Sequence, residues 1–392
     1  MDNLPPHMKI GILTLHAQLN YGGILQAFAL QRTLERLGYE TVVIDRWLSP
    51  DNAELHPYEP ASGIRRTTHR VLDRCFGLGQ FARIRRSKRT VAFLRNRLKL
   101  TPYHFHEWSE APTDLDVDLL VVGSDQVWKD RIARTYLLDG APNIPAIAYG
   151  ASFGMHDIPG ELIPLYRSGI RRFRAVSVRE HEGCHIAKML GVSATKVVDP
   201  VFLLSRDDWL SVDSSRSPDQ TGKLVCYFMA EPVIPNLGKI FDFSCRNGTP
   251  VDIFSNGVRL RDGSPFSTSY GLARLPKSLV RVREDAGPAE FLTAISNAQS
   301  IITDSFHALA FALLLGKNVR VLAPRSLDRR AMFSRIEELA SRYSDGALVV
   351  PELETGLLEL ERQHIRIRMD VLEQDRIESR DWLNRTLLAA SR

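Results

Sequence analysis

Short, nearly unbroken apolar runs recur along this chain, and most of them end in Gly, Ser, Asp or Asn just before a stretch of helical period. The first round of that grammar is KIGILTL, a helical segment from Gly22 to Leu37, and TVVID ending at Asp45. Ala27, Leu30, Leu34 and Leu37 return at three- and four-residue steps, so the helix has one apolar face, and Gly38 stands where a C-terminal cap belongs. Strand, amphipathic helix and strand in this order form a βαβ unit with a parallel pair. DLLVVGSD, AIAYGAS, AVSVRE and KVVDPVFLL continue the series, and their near-continuous apolarity is the mark of parallel strands covered on both faces.

A polar stretch, SVDSSRSPDQTGK, precedes a second round: LVCYFMA, a helix, TPVDIFSN, a helix from Ala289 to Ser300, IITDS, a helix from Phe306 to Leu315, and KNVRVLAP. With 392 residues, 44% of them hydrophobic, the chain is long enough for two cores. The expected fold is therefore α/β, with two Rossmann-like domains facing a cleft. Residues 8–200 form the first domain, 201–356 the second, and 357–392 a charged helical segment that packs back on the first. Residues 64–99 interrupt the alternation: they are rich in Arg and Lys, hold Asp73 as their sole acid, and interleave apolar residues. This basic insertion is either a solvated face or a peripheral contact with an anionic membrane surface.

The net charge of +5 suits an anionic partner. Nucleic acid is not expected, because the basic run lacks a recognisable binding module. Cys75, Cys184, Cys226 and Cys245 lie far apart with no CxxC pair, which favours a reducing compartment. The start has no signal-type segment, and no run of about 18 apolar residues occurs. A cytoplasmic protein is expected, with a peripheral site at the inner membrane as the further possibility raised by the basic insertion.

Polar residues at strand ends carry the candidate chemistry, since open α/β sheets bind ligands at their carboxyl edge. Asn20, Tyr21, Gly22 and Gly23 join the first strand to its helix; they either offer backbone N–H groups to an anion or sugar oxygens, or form an ordinary turn with Asn20 as N-cap. No GxGxxG is present, so a dinucleotide lacks its usual fingerprint even though Asp45 follows at a suitable distance. Ser124, Asp125, Gln126 and Trp128 follow DLLVV, with Ser124, Gln126 and Trp128 as candidate acceptor or anion contacts; Asp125 is a base or hydroxyl ligand, or else satisfies its own loop. Arg179 ends another strand, either as a fork for phosphate or carboxylate or in a salt bridge with Glu180 or another acid. His181-Glu182-Gly183-Cys184-His185 matches the HExxH zinc pattern formally, yet Gly183 weakens the helix it needs and no third ligand follows, so no metal is expected. His104 and His106 form an HxH pair on an expected loop. Thr303-Asp304-Ser305-Phe306-His307 ends a strand and starts a buried helix, which sets His307 at the site edge or in the core. Arg320, Arg325, Arg329 and Arg330 follow as charge for an anion or as a solvated face.

Together, LHAQLNYGGILQAFALQRTLERLGYE, VVGSDQVW, AIAYGASFG, SVREHEGC, VVDPVFLL and ITDSFHALAFALLLGKNV resemble, in order and over most of the chain, the successive motifs of the polysaccharide pyruvyl transferase family. The resemblance implies a two-domain fold similar to that of the B-type glycosyltransferases, phosphoenolpyruvate as donor and co-substrate, a pair of sugar hydroxyls as acceptor, and no nicotinamide or flavin cofactor. It implies a cyclic pyruvate ketal formed on a bacterial exopolysaccharide or cell-surface glycan precursor, with a lipid-linked oligosaccharide among the acceptors. The acceptor side is expected in the first domain, with its basic insertion, and the donor side in the second. By position, Arg179 matches an arginine expected to hold the donor, and His307 the histidine of an RLHA-type motif. Ser305 stands on the donor side where many members have arginine, and Arg325, Arg329 or Arg330 of the next loop are the candidates for that arginine's phosphate contact. His307 or Asp304 is then the proton donor, and Asp125 the base or the acceptor-hydroxyl ligand. The alternatives are a nucleotide-sugar-dependent glycosyltransferase of the same architecture and a non-catalytic sugar-binding relative.

Overall fold

The computed structural model of the chain describes residues 8–17, 19–47, 79–212, 222–229, 233–255, 279–324 and 327–390. It divides into two compact units, Met1–Asn52 with Leu94–Leu204 and Asp370–Arg392, and Ala53–Phe93 with Ser205–Met369.

The first unit is built on β1 (Lys9–Leu13), β2 (Glu40–Arg46), β3 (Leu100–Phe105), β4 (Leu119–Val122), β5 (Ala146–Ala151), β6 (Phe173–Val178) and β7 (Thr195–Lys196). All pair in parallel, in the order β3-β2-β1-β4-β5-β6-β7. β4 and β5 are buried along their whole length, as strands covered on both faces must be. The helix Tyr21–Arg36 buries Leu25, Leu30 and Leu34, each contributing about 2 kcal/mol of apolar burial. The order reverses between β1 and β4, and that switch point is where loops diverge and leave a crevice at the carboxyl edge.

The second unit repeats the plan with β8 (Lys223–Phe228), β9 (Val251–Ser255), β10 (Val280–Val282), β11 (Ala298–Thr303), β12 (Asn318–Leu322) and β13 (Val349–Val350). The order is β10-β9-β8-β11-β12-β13, again parallel, with its switch point between β8 and β11. Both sheets are thus Rossmann-like and doubly wound.

Several boundaries differ from the sequence expectation. The second unit starts at Ser205 and runs to Met369, so the helix Leu353–Arg362 belongs to it: Leu353, Leu357 and Leu360 join that unit's apolar core. The helix Met369–Ala390 lies on the first unit, where Ser379 accepts from the Val198 N–H and Arg376 donates to the Phe202 carbonyl. Of the basic insertion, residues 64–78 lie outside the described residues. The remainder is the helix Gly79–Arg97, whose residues up to Phe93 group with the second unit rather than the first. The physical reason is Arg89, which pairs with Asp285 at 2.8 Å and Glu290 at 3.3 Å. His104 is not on a loop: it lies within the edge strand β3, paired in register with Asp45.

Candidate functional site

Each unit gathers polar side chains at the switch point of its own sheet. In the first unit, the loop after β1 is tied to the loop after β4 by Gln26, whose Nε2 donates to the Thr14 hydroxyl at 2.8 Å and whose Oε1 accepts from the Ser124 N–H at 3.3 Å. Asn20 caps the helix Tyr21–Arg36, its Oδ1 accepting from Gly22 N–H at 3.1 Å. Gly23 is required by space, because a Cβ there would lie 2.5 Å from the Leu15 carbonyl oxygen. Gly123, at φ +122°, is required twice over: its Cβ would lie 2.3 Å from the Tyr149 oxygen.

Asp125 adopts φ +63°, a left-handed conformation that costs on the order of 1 kcal/mol and persists where surroundings fix it. Here the fixing groups are Gln126 N–H, which donates to Asp125 Oδ1 at 2.9 Å, Ser152 N–H, which donates to the Asp125 carbonyl at 3.0 Å, and Arg179. Its guanidinium, 1% exposed, donates from Nη1 to Asp199 Oδ2 at 2.6 Å and from Nη2 to Asp125 Oδ1 at 3.2 Å, while Nε lies 3.6 Å from Glu180 Oε2. Burial works against the guanidinium charge, but Asp199, Asp125 and Glu180 outweigh it and hold its pKa above the ordinary value. The Ser124 hydroxyl sits 3.1 Å from Asp199 Oδ2 and 2.9 Å from the Gly150 carbonyl. Arg179 therefore ends inside an ionic cluster with three carboxylates, the salt-bridge alternative of the sequence reading.

Trp128 is placed differently from its expected role on the ligand side. It is fully buried, its ring 5.0 Å from Phe153 and 5.6 Å from Phe173, because the chain turns inward after the polar Gly123–Gln126 segment. Tyr21 is likewise 1% exposed, and Gln126 is half-buried. His16, Asp45 and Arg46, which no local pattern singled out as a group, stand on the same carboxyl edge. Both His16 ring nitrogens face oxygens, Asp45 Oδ1 at 3.1 Å and the Thr14 carbonyl at 3.2 Å. Arg46, buried, reaches the His106 carbonyl, the Thr135 hydroxyl and Tyr136. Burial raises the Tyr136 pKa, with Arg46 opposing it.

In the second unit, the loops after β8 and β11 are joined by Asp304, whose Oδ1 accepts from the Met229 N–H at 2.5 Å, and by Thr303, whose hydroxyl donates to the Tyr227 carbonyl at 2.5 Å. Ser305 is the N-cap of the helix Phe306–Leu314, its oxygen accepting from Ala308 N–H at 3.5 Å. His307 follows in the first helical turn, 7% exposed, with its ring against Phe306. The Arg335 guanidinium lies 5.8 Å from the Phe306 ring centroid. Arg320 is fully buried and spends its donors on Glu359, Asn318 and the Val319 and Gln363 carbonyls, which rules it out as an anion contact. Arg325 lies outside the described residues. Arg329 and Arg330 lie on the helix Leu327–Tyr343, with their side chains outside the described set.

The HEGCH segment opens the helix His181–Met189, and His156 lies 3.5 Å from Glu182. Among the described residues no group of three or more His, Cys, Asp and Glu side chains is placed to hold a metal ion. Cys184, Cys226 and Cys245 are free thiols. None of the described helices is long and apolar enough to cross a membrane.

A family model for polysaccharide pyruvyl transferase matches residues 20–326, a span that contains Asp125, Arg179, Asp199, Asp304 and His307. No curated protein matches the chain. Among solved structures, the chain is similar to UDP-GlcNAc 2-epimerase from Neisseria meningitidis bound to UDP-GlcNAc, at a TM-score of 0.53 and 13% identity, over 97% of this chain and 100% of that one. It is also similar to UDP-N-acetylglucosamine 2-epimerase from Rickettsia bellii, at a TM-score of 0.50 and 10% identity, over 98% and 96% of the two chains. At such identities the likeness shows the fold alone, and that fold is of the α/β class with two Rossmann-like sheets, as expected from the sequence.

Proposed function

The chain belongs to the polysaccharide pyruvyl transferase family, and we propose from that premise that it moves the enolpyruvyl unit of phosphoenolpyruvate onto two hydroxyls of one sugar, in a bacterial exopolysaccharide or cell-surface glycan precursor. Proton addition at C3 of the donor makes C2 electrophilic. One hydroxyl adds at C2, phosphate leaves with the C2–O bond electrons, and the second hydroxyl closes the cyclic ketal. Donor and diol give ketal and inorganic phosphate, so no cofactor enters the balance.

The observation that carries the reading is the family match across both sheets. The unequal charge of the two edges supports a division of labour within it. Three carboxylates around one guanidinium suit hydroxyl groups and disfavour a donor bearing phosphate and carboxylate. The edge with Asp304 and His307 carries, among the described residues, an imidazole in the first helical turn and Arg335 near Phe306, a better match for the anion. In this reading His307 is the proton donor or phosphate contact and Asp304 its alternative. Asp125 accepts from an acceptor hydroxyl as base or ligand, and Ser124 and the Asn20–Gly23 turn line the acceptor side. Arg179, instead of clamping the donor, holds Asp125 in place. The exposed Arg85, Lys88, Arg95 and Arg97 of the helix Gly79–Arg97 are the basic face by which the enzyme would meet an anionic leaflet and a lipid-linked acceptor there. Sedimentation with anionic vesicles at low salt tests that contact; protein left in the supernatant counts against it.

The reading is tested by phosphate release from phosphoenolpyruvate over a panel of galactosyl, glucosyl and N-acetylhexosaminyl acceptors, with product mass checked for one added pyruvate ketal. Acceptor-dependent release with that mass gain is expected. Release that requires a nucleotide sugar, or none with phosphoenolpyruvate, overturns it.

A further inference from the structure

The carboxyl edge of the first sheet continues past Asp125 to the ends of β2 and β3, where an aromatic pair sits on a hydrogen-bonded carboxylate. The Trp47 indole stacks on the His104 imidazole with ring centroids 3.8 Å apart and planes 10° from parallel. The indole Nε1–H donates to Asp45 Oδ1 at 3.0 Å, the oxygen that His16 Nε2 also contacts. Trp47 is half-buried and His104 exposed, so the pair presents a flat face at the rim while its polar anchor lies inside. The anchor leads on without a break: His16 contacts the Thr14 carbonyl, and the Thr14 hydroxyl donates to the Ser124 carbonyl, next to Asp125.

An aromatic shelf with a buried carboxylate beside it is the chemistry that recognises a pyranose, whose C–H face lies on rings and whose hydroxyls donate to carboxylates. We infer that Trp47 and His104 form the stacking wall of a sugar subsite, with Asp45 as its hydroxyl acceptor. The inference rests on the pyruvyl-transfer reading for the identity of the sugar as acceptor, but the subsite itself is a binding claim. Simple coverage of the end of edge strand β3 is the competing role for the pair.

The test is saturation-transfer NMR and direct titration with the methyl glycosides of galactose, glucose and N-acetylglucosamine, phosphoenolpyruvate being left out. At least one glycoside is expected to bind the full chain, and Trp47→Ala and His104→Ala each to weaken it about tenfold. Phosphoenolpyruvate affinity is unchanged in both variants. His104 is exposed, so His104→Ala keeps the wild-type melting temperature and decides the matter even if Trp47→Ala folds poorly. No glycoside binding by the wild type, or equal binding by wild type and His104→Ala, overturns the subsite. Glycoside binding lost in the variants, without any transfer from phosphoenolpyruvate in the wild type, would uphold the subsite and remove the transferase reading instead.

Discussion

The two sheets share a topology and differ in how they spend charge at their switch points. After β4, β6 and β7 in the first unit, Asp125, Glu180 and Asp199 converge on the buried guanidinium of Arg179. After β8 and β11 in the second, backbone N–H groups do most of the fixing: Met229 donates to Asp304, and Ser305 accepts from Ala308. A buried ion cluster is rigid, and removing one member leaves the others uncompensated. A capped helix start leaves His307 in its first turn as the variable group. One scaffold thus carries a stiff, acid-rich edge and a capped edge, which the proposed function assigns to a neutral polyol and to an anion, and exchanging those roles would break the contrast.

The largest effect is expected at the second edge. His307→Ala should slow acceptor-dependent phosphate release by about 10²–10⁴-fold with the melting temperature unchanged. A loss below roughly tenfold would take the acid role away from His307. Next comes the ion cluster: Arg179→Met should lower the unfolding free energy by about 3–5 kcal/mol in denaturant titrations, because three carboxylates lose their cation. If the variant instead unfolds like the wild type and only the donor KM rises, Arg179 is the donor clamp and the contrast between the edges fails. A smaller change, about 1–3 kcal/mol in the same titration, is expected for Gly23→Ala, whose new Cβ would meet the Leu15 carbonyl oxygen and approach Asp125 Oδ2 at 3.4 Å. Smallest is Ser305→Ala, about 1 kcal/mol for a lost N-cap, with donor affinity unchanged. A large rise in donor KM there would return Ser305 to the donor site.

Periodicity made the scaffold legible. KIGILTL became β1, the segment around Ala27, Leu30 and Leu34 became the helix Tyr21–Arg36, and TVVID became most of β2, because apolar spacing reports directly on burial. The carboxyl-edge positions of Asp125, Arg179 and His307 could be read for the same reason, since each follows an apolar run. Partnerships were not legible. Asp199 lies 20 residues from Arg179, and His16 lies 29 from Asp45; contacts of that reach follow from sheet order, on which local spacing is silent. Trp128 misled because a residue following a polar loop looks exposed, although here the chain re-enters the core. The capping hydroxyl of Ser305 was not singled out either, because attention to the charge it lacks hides the helix it starts.

The division of labour is tested most directly by calorimetric titration of phosphoenolpyruvate, without acceptor, into the wild type, Asp125→Asn and His307→Asn. Wild-type affinity is expected in Asp125→Asn, and a dissociation constant raised about tenfold or more in His307→Asn, the cost of losing one charge-assisted contact to the anion. Weakened binding in Asp125→Asn with His307→Asn unaffected, or no binding by the wild type, would contradict it.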